Sequence, residues 1–181
     1  MKERIIETAA SLFYNKGYNL TGINEVISAS GIAKATLYNH FKSKEELCLA
    51  YLKHKHAVFL KDLEVFADSK AKGKEQILAL FDFLYSSFQE KDFNGCWSVN
   101  TVAEIPSENE KIRVEIRREK NEFIQLIETL IQHNLASISL QTLPSLAKKI
   151  YLLYEGAIVE SNLHNSDWPI KEARDLCQKI L

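Results

Sequence analysis

The first 47 residues are divided into short helical segments by two glycines and one helix-start signature. Apolar residues recur at helical spacing from Ile5 to Phe13, and Gly17 follows them at a position where glycine commonly closes a helix. A second short helix is predicted from about Gly22 to Ser30, and Gly31 ends it. The chain therefore begins with two short helices, each closed by a glycine.

The helix-start signature is Ser43-Lys44-Glu45-Glu46, which is typical of a capping box. Ser43 is expected to accept a hydrogen bond from the amide of Glu46, while the Glu46 side chain reaches back. A longer helix therefore begins at Lys44. Between Gly31 and Ser43 there is room for one more helix of about two turns.

The rest of the chain also indicates helices. Glycine (6) and proline (3) are scarce, so tight turns between short strands have few residues to form them. The sequence predicts an all-α fold with a three-helix N-terminal domain, residues 1–48, and a larger helical domain, residues 49–181. The later helices are predicted at Lys74 to Gln89, after Gly95, at about Glu108 to Asn134, at Ser145 to Asn162 and from Pro169.

The third helix has two chemically different faces. When Leu37 is set at zero on a helical projection, Ala33 and Phe41 fall beside it as an apolar stripe. Amide, hydroxyl, methyl and ammonium groups are the ones that read a major groove and hold phosphates. Such groups lie on the opposite face and its flanks, at Lys34, Ala35, Thr36, Tyr38, Asn39 and His40. Helix, glycine turn and second helix in this order predict a helix-turn-helix.

A wider pattern supports this interpretation. The N-terminal 50 residues resemble the DNA-binding domain of the TetR/AcrR family of transcriptional regulators, through Gly17-Tyr18, Thr21, Ile23, Gly31-Ile32, Thr36-Leu37-Tyr38, His40-Phe41 and Ser43-Lys44-Glu45. A shorter segment, Gly95-Cys96 with Asn100-Thr101 and Glu104, resembles one subgroup of that family. Two positions depart from the pattern, because many relatives have Thr where this chain has Gly22 and Ser where it has Ala33.

The resemblance implies which residues contact DNA and how the protein assembles. The recognition-helix contacts would be Lys34, Thr36, Tyr38, Asn39 and His40, and the phosphate contacts would be Thr21 and Lys44. The partner would be double-stranded DNA carrying a palindromic operator, bound by a homodimer. The dimer interface is expected from apolar stripes on the last two helices, at Leu146, Ile150, Leu153, Ala157 and Ile158 and at Ala173, Leu176, Cys177 and Ile180.

The resemblance also implies a small-molecule effector that binds among the C-terminal helices. Aromatic side chains there are more often core than ligand contacts, but some are expected to be both. The candidate effector contacts are Phe81, Tyr85, Phe88, Trp97, Asn100, Glu104, Phe123, Tyr151, Tyr154 and Glu155. These side chains favour an apolar or aromatic effector, and Glu155 is equally compatible with a subunit contact.

Charge is distributed unevenly along the chain. The net charge is −1, but residues 1–55 hold eight Lys and Arg against five Asp and Glu. The N-terminal third is therefore mildly basic, as a small phosphate-binding module would be. The amphipathic N-terminus carries Glu3 and Glu7 where a signal peptide needs an apolar run, so we expect a cytoplasmic protein without a membrane segment.

The cysteines predict neither disulfides nor metal. Three cysteines without a C-x-x-C spacing argue against a disulfide framework and a zinc ribbon, and Cys48, His54 and His56 do not converge on a helix. Cys96 has no neighbouring base in the sequence, which favours a structural thiol over a thiol sensor. No metal or cofactor is expected.

The sequence favours one hypothesis and leaves four alternatives to it. The preferred hypothesis is a ligand-responsive repressor that is not an enzyme, because no phosphate loop, H-E-x-x-H motif or catalytic carboxylate pair is present. An activator and a regulator without a ligand are the alternatives within DNA binding. A helical enzyme or a protein-interaction module would make the basic N-terminus incidental.

Overall fold

The computed structural model describes residues 1–181 as nine α-helices without a strand. The all-α prediction is therefore confirmed. The helices are α1 Lys2–Lys16, α2 Ile23–Ser30, α3 Lys34–His40, α4 Lys44–Asp68, α5 Lys74–Phe88, α6 Trp97–Glu104, α7 Glu110–Asn134, α8 Leu143–His164 and α9 Trp168–Ile180.

The helix ends follow the local signals in the sequence. Gly31 closes α2 in the left-handed conformation, with φ of 61°, and its amide donates to the carbonyls at the end of that helix. At the start of α4, the Glu46 amide donates to Ser43 Oγ at 3.1 Å. The Glu46 carboxylate accepts from the Lys42 amide at 2.6 Å, one residue before the amide that a regular capping box would use.

The helices form two compact units, and the first is larger than the N-terminal sequence motif. It comprises residues 1–58 together with residues 97–119. Its core lies around Ile5, Leu37, Leu47 and Tyr51, each at most 1% exposed, and Ile112 of α7 is fully buried in the same core. The α6 helix and the first part of α7 are therefore built into the unit that contains the helix-turn-helix.

The second unit comprises residues 59–96 and 120–181. Its core is formed by α5 and by the facing stripes of α7, α8 and α9, with Phe81 and Ile127 fully buried. An ion pair joins α9 to α5, where Arg174 Nε donates to Asp82 Oδ1 at 2.7 Å. Because α4 runs without a break from Lys44 to Asp68, it contributes residues to both units.

The apolar stripes of α8 and α9 differ from the prediction. Ile150, Ala157 and Cys177 are at most 3% exposed, because α8 and α9 pack on each other and on α5 within one chain. On α8 the large apolar side chains that remain exposed are not the predicted ones but Leu152, Val159 and Leu163, which recur at helical spacing. On α9 the predicted Leu176 and Ile180 are exposed, and so is Trp168.

None of the nine helices combines the length and the apolar character that crossing a membrane requires.

Candidate nucleic-acid interface

The α3 helix is held by two apolar side chains and left open on its other side. Leu37 is fully buried and Phe41, which ends the helix in an extended conformation, is 4% exposed. Ala33 is exposed, so the prediction that it joins the apolar stripe is wrong. The physical reason is that Ala33 is the N-cap, with φ of −72° and ψ of 147°, where helical periodicity does not apply.

The predicted reading face of α3 is on the surface. Thr36 is partly buried, and the other five predicted contacts are exposed: Lys34, Ala35, Tyr38, Asn39 and His40. The short helix thus presents hydroxyl, phenol, amide and imidazole groups together on one outward surface. We call these six residues the α3 face.

Thr21 does not belong to this surface. Its side chain is fully buried, and its hydroxyl lies 2.8 Å from the carbonyl oxygen of Gly17 and 3.2 Å from that of Leu12. The prediction that Thr21 contacts phosphate through its hydroxyl is therefore corrected. The hydroxyl instead donates to the carbonyls of Leu12, near the end of α1, and of Gly17, just beyond it.

Lys44, the other predicted phosphate contact, is folded against the protein. Its Nζ lies 4.4 Å from the centroid of the Tyr18 ring and 3.4 Å from the carbonyl oxygen of Asn19. Partial burial lowers the pKa of Lys44, and burial raises the pKa of the Tyr18 phenol to about 12. The ammonium is therefore positioned beside the turn between α1 and α2, in contact with an aromatic face.

Glu104, a candidate effector contact, is hydrogen-bonded to the same turn. One carboxylate oxygen accepts from the Asn19 amide at 2.6 Å, and the Asn19 side chain donates to the Glu104 carbonyl at 2.7 Å. A second contact fastens α7 to the start of α4, because Glu45 accepts from Asn109 at 3.1 Å and from Lys111 at 3.0 Å. We call the contact of Glu104 with Asn19 the α6 clasp, and the contact of Glu45 with Asn109 and Lys111 the α7 clasp.

Four of the predicted effector contacts come together in the second unit. Phe123 lies edge-on to Tyr154, with ring centroids 5.0 Å apart, and to Tyr151, at 6.0 Å. Phe81 meets Tyr154 at 6.1 Å, and Phe59, which the sequence did not single out, meets Phe123 at 5.1 Å. We call these five residues the aromatic cluster.

The other predicted contacts are elsewhere. Trp97 and Asn100 belong to the first unit, with Trp97 packed on its core. Phe88 packs on Phe93, with centroids 5.3 Å apart, and Tyr85 is 38% exposed beside Lys171. In the sequence these positions recur at the same helical spacing as core residues. In the structure their side chains do not meet at one site.

Glu155 takes part in a buried polar group that the sequence did not reveal. Lys120 Nζ donates to Glu155 Oε1 at 2.6 Å and lies 3.2 Å from Cys96 Sγ. Burial opposes the charged form of Lys120, but Cys96 and Glu155 together raise its pKa above the ordinary value. The pKa of Tyr151 is raised by burial and next by Glu155, so this thiol–ammonium–carboxylate group adjoins the aromatic cluster.

No group of three or more His, Cys, Asp or Glu side chains is arranged to hold a metal ion. The donor groups near the α3 face and near Lys120 are ammonium, amide and hydroxyl groups, which bind anions and hydrogen-bond acceptors. The α3 face therefore presents groups of the kinds that can pair with phosphate oxygens and base edges.

Comparison with known proteins supports the same interpretation. Residues 5–51 match the sequence profile described as bacterial regulatory proteins, tetR family, and residues 73–177 match the tetracyclin repressor-like C-terminal domain. An HTH-type transcriptional regulator in the lacX 3′ region of Lactococcus lactis subsp. lactis is 31% identical over 114 residues, which is 62% of this chain and 58% of that protein.

A repressor and a solved structure match over most of the chain. The HTH-type transcriptional repressor NemR of Escherichia coli K12 is 23% identical over 178 residues, covering 95% of this chain and 89% of NemR. The crystal structure of the reduced form of E. coli NemR superposes with a TM-score of 0.88 at 22% identity, covering 98% of this chain and 95% of that one. At that identity, the structural similarity concerns the fold alone.

Proposed function

This chain belongs to the tetR family of bacterial transcriptional regulators, and from that premise we propose that it is a cytoplasmic repressor that binds a palindromic operator as a homodimer. A small molecule that binds the C-terminal domain releases it from DNA. The protein acts by binding and not by catalysis. The observation that carries the proposal is the α3 face, exposed on a helix whose opposite side is anchored by Leu37 and Phe41.

The α3 face supplies the groups that a major groove can pair with. Asn39 can exchange two hydrogen bonds with adenine, and the Ala35 methyl can meet a thymine methyl. Lys34 and the hydroxyls of Thr36 and Tyr38 suit phosphate oxygens, which fix the register of the helix on the duplex. His40 stands at the edge of the face, at the C-terminal end of α3.

Lys44 contributes at the start of α4, where backbone amides and the helix dipole also favour phosphate. To reach DNA, its ammonium must leave the Tyr18 ring, a contact worth about 0.5–1 kcal/mol at an exposed site. A phosphate is a stronger partner for an ammonium than an aromatic face is, because charge-assisted hydrogen bonds form. We therefore retain Lys44 as a phosphate contact and exclude the buried Thr21 hydroxyl.

The dimer is proposed to form through the exposed apolar residues of α8 and α9. Leu152, Val159 and Leu163 are separated by seven and four residues, which places them on one side of α8. Their exposed fractions are 67%, 38% and 72%, and on α9 Leu176 adds 46%. Exposed apolar stripes of this kind mark protein–protein contacts, and a two-fold axis would pair each stripe with its copy.

The effector is proposed to bind at the aromatic cluster beside Glu155. Edge-to-face rings with one buried polar group are the usual lining of a small-molecule site, and they favour an apolar or aromatic ligand. Glu104 enters the proposal differently, as a link to the α1–α2 turn through the α6 clasp. A ligand that shifts α6 would therefore alter the support of the helix-turn-helix.

Operator selection followed by titration tests the proposal. DNA fragments enriched by the purified protein should share a two-fold symmetric motif, with half-sites about 34 Å apart. A ligand that binds the second unit should weaken operator binding by roughly 5- to 150-fold, as an allosteric coupling of about 1–3 kcal/mol implies. Reporter expression from the selected operator separates repressor from activator, because deletion of the gene raises expression only for a repressor.

An asymmetric motif would contradict the proposed dimer, and tight ligands without an effect on operator affinity would favour the ligand-independent regulator. Absence of any sequence preference would favour the protein-interaction module. Phe123→Ala is the informative variant, because Phe123 touches three rings of the aromatic cluster. Phe93→Ala is the matched control, since that ring packs on Phe88.

A further inference from the structure

We propose that the aromatic cluster selects an uncharged aromatic compound that carries a hydrogen-bond acceptor, and that the Tyr154 hydroxyl recognises this acceptor. The inference rests on the proposed function and deepens it, because it names the chemical class of the effector. Three observations support it, namely the ion pair of Lys120 with Glu155, the unused hydroxyl of Tyr154, and the rings that contact Tyr154.

Lys120 and Glu155, the charged pair beside the aromatic cluster, already neutralise each other. Lys120 Nζ donates to Glu155 Oε1 at 2.6 Å, and only 20% and 16% of the two side chains are exposed. An anionic ligand would compete with Glu155 for the ammonium, and a cationic ligand would compete with Lys120 for the carboxylate. Either exchange leaves one buried charge without its partner, which is strongly unfavourable. An uncharged ligand leaves the pair intact.

Tyr154 carries a hydroxyl that makes no hydrogen bond within the chain, although the residue is only 3% exposed. Buried hydroxyl groups are usually paired, because the loss of hydration without a replacement hydrogen bond is costly. Burial, and next the negative charge of Glu155, raise the pKa of this phenol well above its ordinary value. The hydroxyl is therefore protonated at neutral pH and can donate to an oxygen atom of a ligand.

The ring of Tyr154 is in contact with three phenylalanine rings. The centroid of Phe123 lies 5.0 Å away, that of Phe81 lies 6.1 Å away, and that of Phe59 lies 6.3 Å away. The faces and edges of such rings pack favourably against another aromatic ring. The surroundings of the Tyr154 hydroxyl therefore suit a flat aromatic body with one acceptor oxygen, such as an aryl ketone.

Four naphthalene derivatives of similar shape test the chemical class by calorimetric titration. 2-Acetylnaphthalene is uncharged with an acceptor oxygen, 2-ethylnaphthalene is uncharged without one, 2-naphthoate is an anion, and (2-naphthylmethyl)ammonium is a cation. The ketone should bind the parent protein roughly tenfold more tightly than each of the others, as about one additional hydrogen bond implies. Equal or tighter binding of either ion, or of the ethyl compound, would overturn the proposal.

Tyr154→Phe separates the hydrogen bond from the shape of the site. The ring is kept, so 2-ethylnaphthalene should bind as it does to the parent, while the advantage of the ketone should disappear. Tyr85→Phe is the matched control, because it removes a hydroxyl from a ring that is 38% exposed and lies outside the aromatic cluster. This control should keep the advantage. An unchanged preference for the ketone in Tyr154→Phe would show that Tyr154 is not the recognising group.

Lys120→Met and Glu155→Gln test the role of the ion pair. Lys120→Met leaves the carboxylate unbalanced, so the cation should bind roughly tenfold more tightly than it binds the parent, and Glu155→Gln should favour the anion in the same way. Thermal unfolding checks that each variant is folded. No gain for the matching ion in folded variants would contradict the role of the pair. Should either variant fail to fold, the four affinities of the parent protein still decide the proposal.

Operator titration distinguishes this inference from the proposed function. 2-Acetylnaphthalene should weaken binding to the selected operator by roughly 5- to 150-fold, and the effect should be smaller in Tyr154→Phe at the same ligand concentration. If the protein binds no operator, the proposed function fails, whatever the four affinities show about the site. If it binds an operator but none of the four compounds, the proposed chemical class is wrong and the DNA-binding regulator stands.

Discussion

The carboxylate of Glu104 accepts a hydrogen bond from the backbone amide of Asn19 at 2.6 Å, across 85 residues of sequence. Glu104 ends α6, and Asn19 lies in the turn between α1 and α2. The Asn19 side chain completes the pair by donating to the Glu104 carbonyl at 2.7 Å. One residue of α6 therefore fixes both the backbone and the side chain of a residue in the turn that leads into the helix-turn-helix.

Glu104→Ala should weaken operator binding, because the α1–α2 turn loses a charge-assisted hydrogen bond worth about 1.5–3 kcal/mol at most. Glu104→Gln should bind close to the parent level, since the amide oxygen can still accept from Asn19. Titration of both variants against the selected operator measures this. Glu108→Ala is the matched control, and an equal loss in that variant would contradict the role of the α6 clasp.

Gly17→Ala should destabilise the protein by about 1–3 kcal/mol for two reasons. The residue has φ of 92°, and an added Cβ would overlap the Glu104 carboxylate. Gly22→Ala should destabilise the protein less, by about 1 kcal/mol at most, because φ is −83° and no atom lies within 4 Å of the added Cβ, so that only the poorer N-cap propensity of Ala remains. Urea denaturation compares the two, and equal destabilisation would show that the Glu104 contact is unimportant.

The features that sequence predicted well are those set by neighbouring residues. Gly31 closes α2, and Ser43 caps α4, because both depend on contacts within a few residues of the chain. The inward position of Leu37 follows from helical periodicity, but Ala33 departs from it because the N-cap backbone is extended. Local sequence rules therefore predict that α3 exists and which residues form its exposed face. They fail at the N-cap of α3, where the backbone is not helical.

Contacts between distant residues were beyond sequence reasoning. Sequence alone places Glu104 with Asn100 and Glu155 as the few polar groups of an aromatic-lined effector site, whereas its bond to Asn19 depends on how α6 packs. Lys120 and Cys96 show the same limitation, since neither position is unusual until the fold brings them to 3.2 Å. Thr21 matches the family motif, yet its hydroxyl is used inside the domain.

Stability should fall at alkaline pH because of the buried Cys48 thiol. Burial raises its pKa from an ordinary value of 9.0 to about 12, so the unfolded chain releases this proton first. The stabilising contribution is complete below pH 9 and is lost as the pH rises towards 12, at up to about 1.4 kcal/mol per pH unit. Cys48→Ala should flatten this slope in urea denaturation, whereas an unchanged slope would show that other groups dominate it.

Leu163→Glu should convert a dimer into monomers, because Leu163 is 72% exposed on the α8 stripe and a carboxylate there would be buried next to its copy. The folded monomer should keep its helicity, since no core contact is removed. Sedimentation at micromolar concentration measures the change. Leu140→Glu is the control, as this side chain is 79% exposed in the loop before α8, and a monomeric parent protein would refute the proposed interface.

Asn39→Ala and Lys34→Ala should affect DNA binding in different ways. Asn39 lies on the exposed α3 face and is proposed to pair with a base edge, so its loss should cost about 1–3 kcal/mol on the selected operator and relax the preference at one base pair of each half-site. Lys34 is proposed to pair with phosphate, which carries no sequence information. Its loss should weaken binding to operator and random DNA alike.

The salt dependence separates these two roles. Each phosphate contact contributes a slope of about −0.9 to the plot of log affinity against log salt concentration. Lys34→Ala should therefore reduce the slope by about one per subunit, and Asn39→Ala should leave it unchanged. Lys44→Ala should behave like Lys34→Ala if its ammonium leaves the Tyr18 ring to meet a phosphate. All three variants could instead change the slope equally, with none altering sequence preference. Base contacts and phosphate contacts would then be indistinguishable at every position tested, and α3 would not be the helix that reads the operator.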